Sequence, residues 1–138
     1  MQKVSGIWQG GKKVEVTLDP DLKIVFDENG PKATDLVLAG LVRCCMGVFQ
    51  EILEKMRLEV KGLEIDVQAE RDTEPPKLFS KITLNYHIEA EEGLEQKLVK
   101  AAQLGEKYCT VYNILKESTQ FEVFFFINGV KLLNFKTL

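Results

Sequence analysis

Residues 34–56 read TDLVLAGLVRCCMGVFQEILEKM, and this stretch decides the fold because its apolar residues recur at intervals of three and four. That spacing is typical of an amphipathic α-helix. Thr34 is the predicted N-cap, and Asp35 is well placed for the helix dipole. The apolar stripe consists of Leu38, Leu41, Val42, Cys45, Phe49, Ile52, Leu53 and Met56. A long helix with one apolar face is expected to pack against other elements.

Alternating apolar and polar residues predict β-strands on both sides of this helix. Before it we expect three short antiparallel strands, with a first tight turn at Gly10-Gly11. After it, the predicted elements are a hairpin (63–69 and 82–88), a helix from Leu94 that bends past Cys109, and a strand (121–127) that Asn128-Gly129 turns back into Val130, Leu132 and Phe135. The order strands, helix, strands, helix, strands predicts an α+β class and a single domain over residues 1–138.

The composition is that of a soluble globular protein, with 138 residues of which 45% are hydrophobic and 28% charged. No apolar run approaches the ~20 residues of a membrane span, so no membrane partner is expected. A net charge of −3 with interleaved signs disfavours a nucleic-acid partner. The N-terminus lacks the apolar segment of a secretory signal, and three cysteines do not suggest a disulfide framework, so we expect a cytoplasmic location.

The last predicted strand is apolar on both faces. Phe124 and Phe126 point away from the face that carries Phe121, Val123 and Phe125. In a chain this short, cover for the second face is expected from another subunit, which predicts a homodimer.

Cysteine is the residue type here that could carry chemistry. His87 is the only histidine, on the polar face of its strand, where we expect it to be solvated, and no spacing suggests a metal site or another cofactor. Cys44 and Cys45 are consecutive, so on a helix they point about 100° apart. Cys45 lies in the apolar stripe, which is typical of core packing, whereas Cys44 lies on its flank. The residues alone leave open whether either thiol is reactive.

Two segments resemble motifs of the OsmC/Ohr family, which comprises osmotically inducible protein C and organic hydroperoxide resistance proteins. Residues 35–44 (DLVLAGLVRC) are similar to the family's acidic residue, aliphatic run, paired small residues and cysteine. Residues 105–111 (GEKYCTV) look like its second-cysteine motif. Residues 69–71 and 76–79 resemble the hairpin between them, so the resemblance covers roughly residues 30 to 127.

The resemblance implies an OsmC-like fold, with antiparallel sheets packed around a long central helix and a second helix in an intertwined homodimer. It also implies a thiol peroxidase that reduces organic hydroperoxides, with Cys44 as the peroxidatic and Cys109 as the resolving cysteine. Such an enzyme passes through a sulfenic acid and a disulfide, which an external dithiol reopens.

The sequence departs from the family at the cation that stabilises the thiolate. The better known members use an arginine from an early strand, and no arginine precedes the long helix here. Lys12 or Lys13 stands near the vacant position. Arg43, beside Cys44, either raises the local positive potential or is a solvated surface residue, and Asp35 either orients such a cation or serves the helix N-terminus. The alternative function is therefore a non-peroxidatic relative that binds a small hydrophobic ligand or senses oxidants.

Overall fold

The computed structural model describes residues 1–132, which form two compact units, Met1–Ala39 and residues 40–132. The first unit contains an antiparallel sheet of β1 (Val4–Trp8), β2 (Val14–Leu18) and β3 (Leu22–Phe26), in that order. Gly10 and Gly11 adopt φ values of 99° and 55° in the first turn, which glycine reaches without steric cost. The three predicted strands are confirmed, while the single domain over residues 1–138 stays a prediction.

The long helix α1 (Ala33–Lys55) is confirmed, but its start differs from the prediction. Because α1 begins at Ala33, Thr34 lies in the first turn, so its assignment as N-cap is wrong. Asp35 instead accepts a hydrogen bond from the backbone N–H of Lys32 at 3.0 Å, as the third residue of a capping box does. This bond gives Asp35 a role at the helix N-terminus.

One stripe of α1 is buried, and it consists of Leu41, Cys45, Phe49 and Leu53. By length and composition α1 would also suffice to cross a membrane, with a mean hydropathy of 1.8 over 18 residues. The sequence predicts no membrane span because its uninterrupted apolar runs are short. In α1 these runs are interrupted by Gly40, Arg43 and Gly47. Burial at every fourth residue is the pattern of a core helix, and we assign α1 to the core.

The second sheet lies in residues 40–132 and has the order β4 (Gly62–Arg71), β5 (Phe79–Glu89), β6 (Gln120–Ile127) and β7 (Val130–Lys131). The predicted hairpin is β4 and β5, and the predicted turn at Asn128-Gly129 joins β6 to β7. The prediction of antiparallel sheets is wrong at one place, because β5 and β6 pair in parallel. The helices α2 (Glu95–Tyr108) and α3 (Thr110–Leu115) form the crossover that a parallel pair requires. The predicted position of Phe135 lies outside the described residues.

Aromatic contacts and a close helix approach bring α1, α2 and this sheet together. The ring of Tyr86 lies 5.6 Å from that of Phe49 on α1 and 5.1 Å from that of Phe125 on β6, measured between centroids. A Cβ added at Gly105 would stand 3.4 Å from the backbone nitrogen of Phe49, so α2 meets the backbone of α1 there. Tyr108, the last residue of α2, is 62% exposed and does not belong to the core.

The other face of the sheet is covered in part by the chain itself. Phe124 and Phe126 are half-buried, with the Lys131 ammonium 4.1 Å from the Phe124 ring centroid and the His87 ring stacked on Phe126 at 4.9 Å. The Nε2 atom of His87 also lies 2.6 Å from Oδ2 of Asp66. The expectation that His87 is merely solvated is therefore wrong. The phenylalanines on this face already have partners within the subunit.

Candidate active site

Cys109 sits at the break between α2 and α3, where the backbone is extended (φ −75°, ψ 117°). Its Sγ atom accepts a hydrogen bond from the backbone N–H of Tyr112 at 3.4 Å, so the sulfur caps α3. The side-chain amide of Asn113 donates to the carbonyl oxygens of Glu106, Lys107 and Cys109 at 3.2, 3.1 and 2.7 Å. The carbonyls of Glu106 and Cys109 also accept from the backbone N–H groups of Cys109 and Asn113, so the Asn113 side chain adds to these bonds and helps to hold the break in one geometry.

The sulfur of Cys109 meets both cysteines of α1. Its Sγ atom lies 3.6 Å from Sγ of Cys45, and the two residues are 0% and 1% exposed. Cys44 is partly exposed, and its interaction with Cys109 raises the pKa of Cys44 and lowers that of Cys109. Burial of Cys45 in the apolar stripe is confirmed. Its contact with Cys109 had no signal in the sequence, because periodicity places a residue on a face without naming what it touches.

The hydrogen bonds place the negative charge of this cluster on Cys109. The thiol of Cys45 donates to its sulfur and lowers the pKa of Cys109 to about 6, with further lowering by Cys44 and by the N–H groups of Tyr112 and Val111. The same bond raises the pKa of Cys45, as does burial. Burial, and then the bond to Cys109, raise the pKa of Cys44. The low pKa thus belongs to Cys109, whereas the sequence predicts the thiolate on Cys44.

A buried carboxyl group lies beside the thiols. Glu106 stands one turn before Cys109, and its Oε1 atom is buried with no hydrogen-bond partner among residues 1–132. Burial, and then the charge of Cys109, raise the pKa of Glu106 to about 7, while a hydrogen bond with the Tyr86 hydroxyl acts in the opposite direction. Glu106 can therefore exchange a proton near neutral pH. Its spacing of three from Cys109 on a helix is a signal that the sequence analysis did not use.

Arg43, Lys12 and Lys13 are the cations that the sequence offers for stabilising the thiolate. Arg43 is exposed and its guanidinium lies over Gly47, where an added Cβ would overlap Nη1. The leading influences on the three thiols are burial, hydrogen bonds between thiols, backbone N–H groups, Tyr86 and Glu106, and no lysine or arginine of residues 40–132 is among them. Lys12 and Lys13 are exposed in the first unit, after the turn that follows β1. Hydrogen bonds stabilise a thiolate on Cys109, whereas the pKa of Cys44, for which the cation was expected, is raised.

The sequence profile described as OsmC-like protein matches residues 26–124. The chain belongs to the OsmC-like family. Protein YhfA of Escherichia coli (strain K12) is 29% identical to it over 101 residues, covering 70% of this chain and 75% of YhfA. Two solved structures are similar in fold to this chain and support the predicted α+β class. A hypothetical protein from Aquifex aeolicus VF5 matches with a TM-score of 0.82 and 25% identity over 93% of this chain and 96% of the other. The organic hydroperoxide resistance protein OhrB of Bacillus subtilis matches with a TM-score of 0.65 and 16% identity over 91% and 97%.

Proposed function

We propose that this OsmC-like protein is a thiol-dependent peroxidase that reduces organic hydroperoxides with Cys44 and Cys109. The observation that carries the proposal is the meeting of a partly exposed thiol, Cys44, with a Cys109 sulfur whose pKa is about 6. Family membership and the likeness to organic hydroperoxide resistance proteins support a role in peroxide stress. In this assignment Cys44 is peroxidatic and Cys109 is resolving.

Exposure favours Cys44 as the sulfur that meets the peroxide, since Cys45 and Cys109 are almost fully buried. The Cys109 thiolate removes the Cys44 proton, and the Cys44 sulfur attacks the distal peroxide oxygen. The O–O bond breaks, a sulfenic acid forms on Cys44, and the alkoxide leaves as an alcohol after taking the proton from Cys109. This proton transfer is uphill. The pKa of Cys44 is raised by burial and by its interaction with Cys109, whereas that of Cys109 is lowered to about 6, so the proton moves from the weaker acid to the conjugate base of the stronger one.

The second half of the reaction forms a disulfide. Cys109, again a thiolate, attacks the sulfur of the Cys44 sulfenic acid, and hydroxide leaves and becomes water with a proton from Glu106 or solvent. Two thiols and one hydroperoxide thus give one disulfide, one alcohol and one water. An external dithiol then reduces the disulfide. We propose no metal or other cofactor for either half.

We propose a homodimer as the working form. Val4, Ile7 and Trp8 of β1 are 66%, 61% and 73% exposed, which is unusual for neighbouring large apolar side chains on one strand. A second subunit would remove this surface from water.

A second candidate, an oxidant sensor, is favoured by the raised pKa of Cys44. A protonated thiol without a neighbouring cation reacts slowly with peroxide, which suits a sensor better than a peroxidase. The two functions share the same cysteines and differ in rate.

Stopped-flow mixing of reduced protein with cumene hydroperoxide tests the proposal and separates the two candidates. A peroxidase consumes the hydroperoxide more than about 30 times faster than free cysteine does, because free cysteine is only about 3% thiolate at neutral pH and full ionisation alone would give roughly that gain. Cys44→Ser is expected to abolish the reaction. Cys109→Ser is expected to slow formation of the sulfenic acid, because it removes the base, and to prevent the disulfide. Met46→Leu is the matched control, because it removes a neighbouring sulfur that cannot form a disulfide. Rates close to that of free cysteine would support the sensor, and full activity in Cys44→Ser would refute both.

A further inference from the structure

We propose that Cys45 is a third redox residue, which takes over the disulfide from Cys44 so that the oxidised protein rests as a buried Cys45–Cys109 bridge with Cys44 free. The first bridge, Cys44–Cys109, is the product of the proposed peroxidase reaction, and the inference rests on that function for its source of oxidation. Only the placement of the final bridge is new.

Geometry gives the first reason. The Sγ atoms of Cys45 and Cys109 are already in contact at 3.6 Å, and a disulfide requires them to approach by about another 1.5 Å. Both sulfurs are at 0–1% exposure, so no solvent has to be displaced when they join. Consecutive positions on α1 therefore offer Cys109 two alternative partners.

The exchange itself needs no further oxidant. The Cys45 thiolate attacks the Cys109 sulfur of the first bridge, a new S–S bond forms, and the electrons of the broken S–S bond leave with Cys44 as a thiolate. The proton from Cys45 passes to the buried Glu106 carboxylate, whose charge acts on this thiol, and then to Cys44. One disulfide is broken and one is made.

Oxidation of Cys109 also makes Cys45 more reactive. While Cys109 is a thiolate, the bond to it is the largest influence that keeps Cys45 protonated. Once Cys109 is in a disulfide, its negative charge is gone and only burial and Glu106 oppose ionisation of Cys45. Formation of the Cys44–Cys109 bridge thus lowers the pKa of Cys45 relative to its value in the reduced protein.

Solvation sets the direction of the exchange. The thiolate that leaves, Cys44, is less buried than Cys45, which is 1% exposed, so a negative charge on Cys44 loses less hydration than one on Cys45. The buried bridge with an exposed free thiol is therefore the lower-energy arrangement.

Disulfide mapping of the wild-type chain tests this inference in two arms. Reduced protein is oxidised with one equivalent of cumene hydroperoxide or, separately, with diamide, which oxidises thiols without peroxidase activity. Free thiols are then alkylated, the sample is quenched in acid, and trypsin releases a peptide that begins at Cys44, because Arg43 precedes it. Fragmentation between the first two residues of that peptide shows which cysteine carries the label.

The expected result in both arms is a label on Cys44 and a bridge between Cys45 and Cys109. The Cys44→Ser variant should form the same bridge with diamide. A bridge between Cys44 and Cys109 with the label on Cys45 in both arms would overturn the inference while leaving the proposed peroxidase intact. A Cys45–Cys109 bridge with diamide, but three labelled thiols after hydroperoxide, would support the inference and refute the peroxidase.

Discussion

Removing the Cys45 thiol should raise the pKa of Cys109, since the Cys45 S–H bond is the largest influence lowering it. A hydrogen bond to a charged acceptor contributes ~1.5–3 kcal/mol, which corresponds to roughly one to two pKa units. From about 6 in the wild type, the pKa of Cys109 is expected to reach about 7 to 8 in Cys45→Ala. At pH ~7 the thiolate fraction would fall from about 90% to between about 10% and 50%.

The assay is the ultraviolet absorbance of the thiolate, followed as the protein is titrated with base. Cys45→Ser is the matched control, because its hydroxyl still donates and should keep the pKa of Cys109 near its wild-type value. Cys109→Ser should lose the low-pH transition, which assigns that transition to Cys109. An unchanged pKa in Cys45→Ala, or an equal rise in Cys45→Ser, would refute the hydrogen-bond explanation.

Three further predictions concern the surroundings of the thiols. The pKa of Glu106 is raised from 4.5 to about 7, so between these pH values the folded chain holds a proton that the unfolded chain releases. As the pH rises from 4.5 to about 7, Glu106 therefore lowers the free energy of unfolding by up to about 3 kcal/mol. Denaturant titrations across this pH range should show that loss in the wild type relative to Glu106→Gln, and parallel pH profiles would contradict it. Gly105→Leu should force α2 away from α1 and slow the formation of the Cys45–Cys109 bridge with diamide. Gly105→Ala is the control, because its Cβ would meet the Phe49 backbone nitrogen at an ordinary 3.4 Å. Equal rates in the two variants would refute the close approach of α2 to α1. Asn113→Ala should destabilise the fold by roughly 1–3 kcal/mol in thermal unfolding, because it removes the donor to three carbonyls at the end of α2, and an unchanged melting temperature would show that water replaces it.

Much of the fold follows from periodicity alone. The spacing of Leu41, Cys45 and Phe49 identifies the buried stripe of α1, and alternation identifies both strands of the β4–β5 hairpin. Strand direction does not follow, because a pattern with period two is the same for parallel and antiparallel pairs. The parallel pairing of β5 with β6 is therefore visible only once α2 and α3 are seen as a crossover.

The candidate site divides in the same way. The two motifs single out Cys44 and Cys109. Which of the two carries the negative charge depends on which sulfur accepts the hydrogen bonds of the neighbouring donors. Cys109 has a low pKa for two reasons. The break between α2 and α3 leaves the backbone N–H of Tyr112 free to donate to its sulfur, and the thiol of Cys45 donates to the same sulfur from α1. Neither fact is encoded in local spacing. Glu106 is only partly predictable, because its pKa is raised first by burial, which local spacing does not show, and then by the charge of Cys109 three positions later.

The stoichiometry of a single turnover tests whether this chain reduces a hydroperoxide with two of its thiols. Fully reduced protein is mixed with limiting cumene hydroperoxide, and the alcohol formed and the thiols remaining after denaturation are counted. The proposed peroxidase should release one alcohol and lose two thiols for each hydroperoxide consumed, and the third thiol of the chain should remain intact. Hydroperoxide consumption without thiol loss, or thiol loss without alcohol, would contradict it.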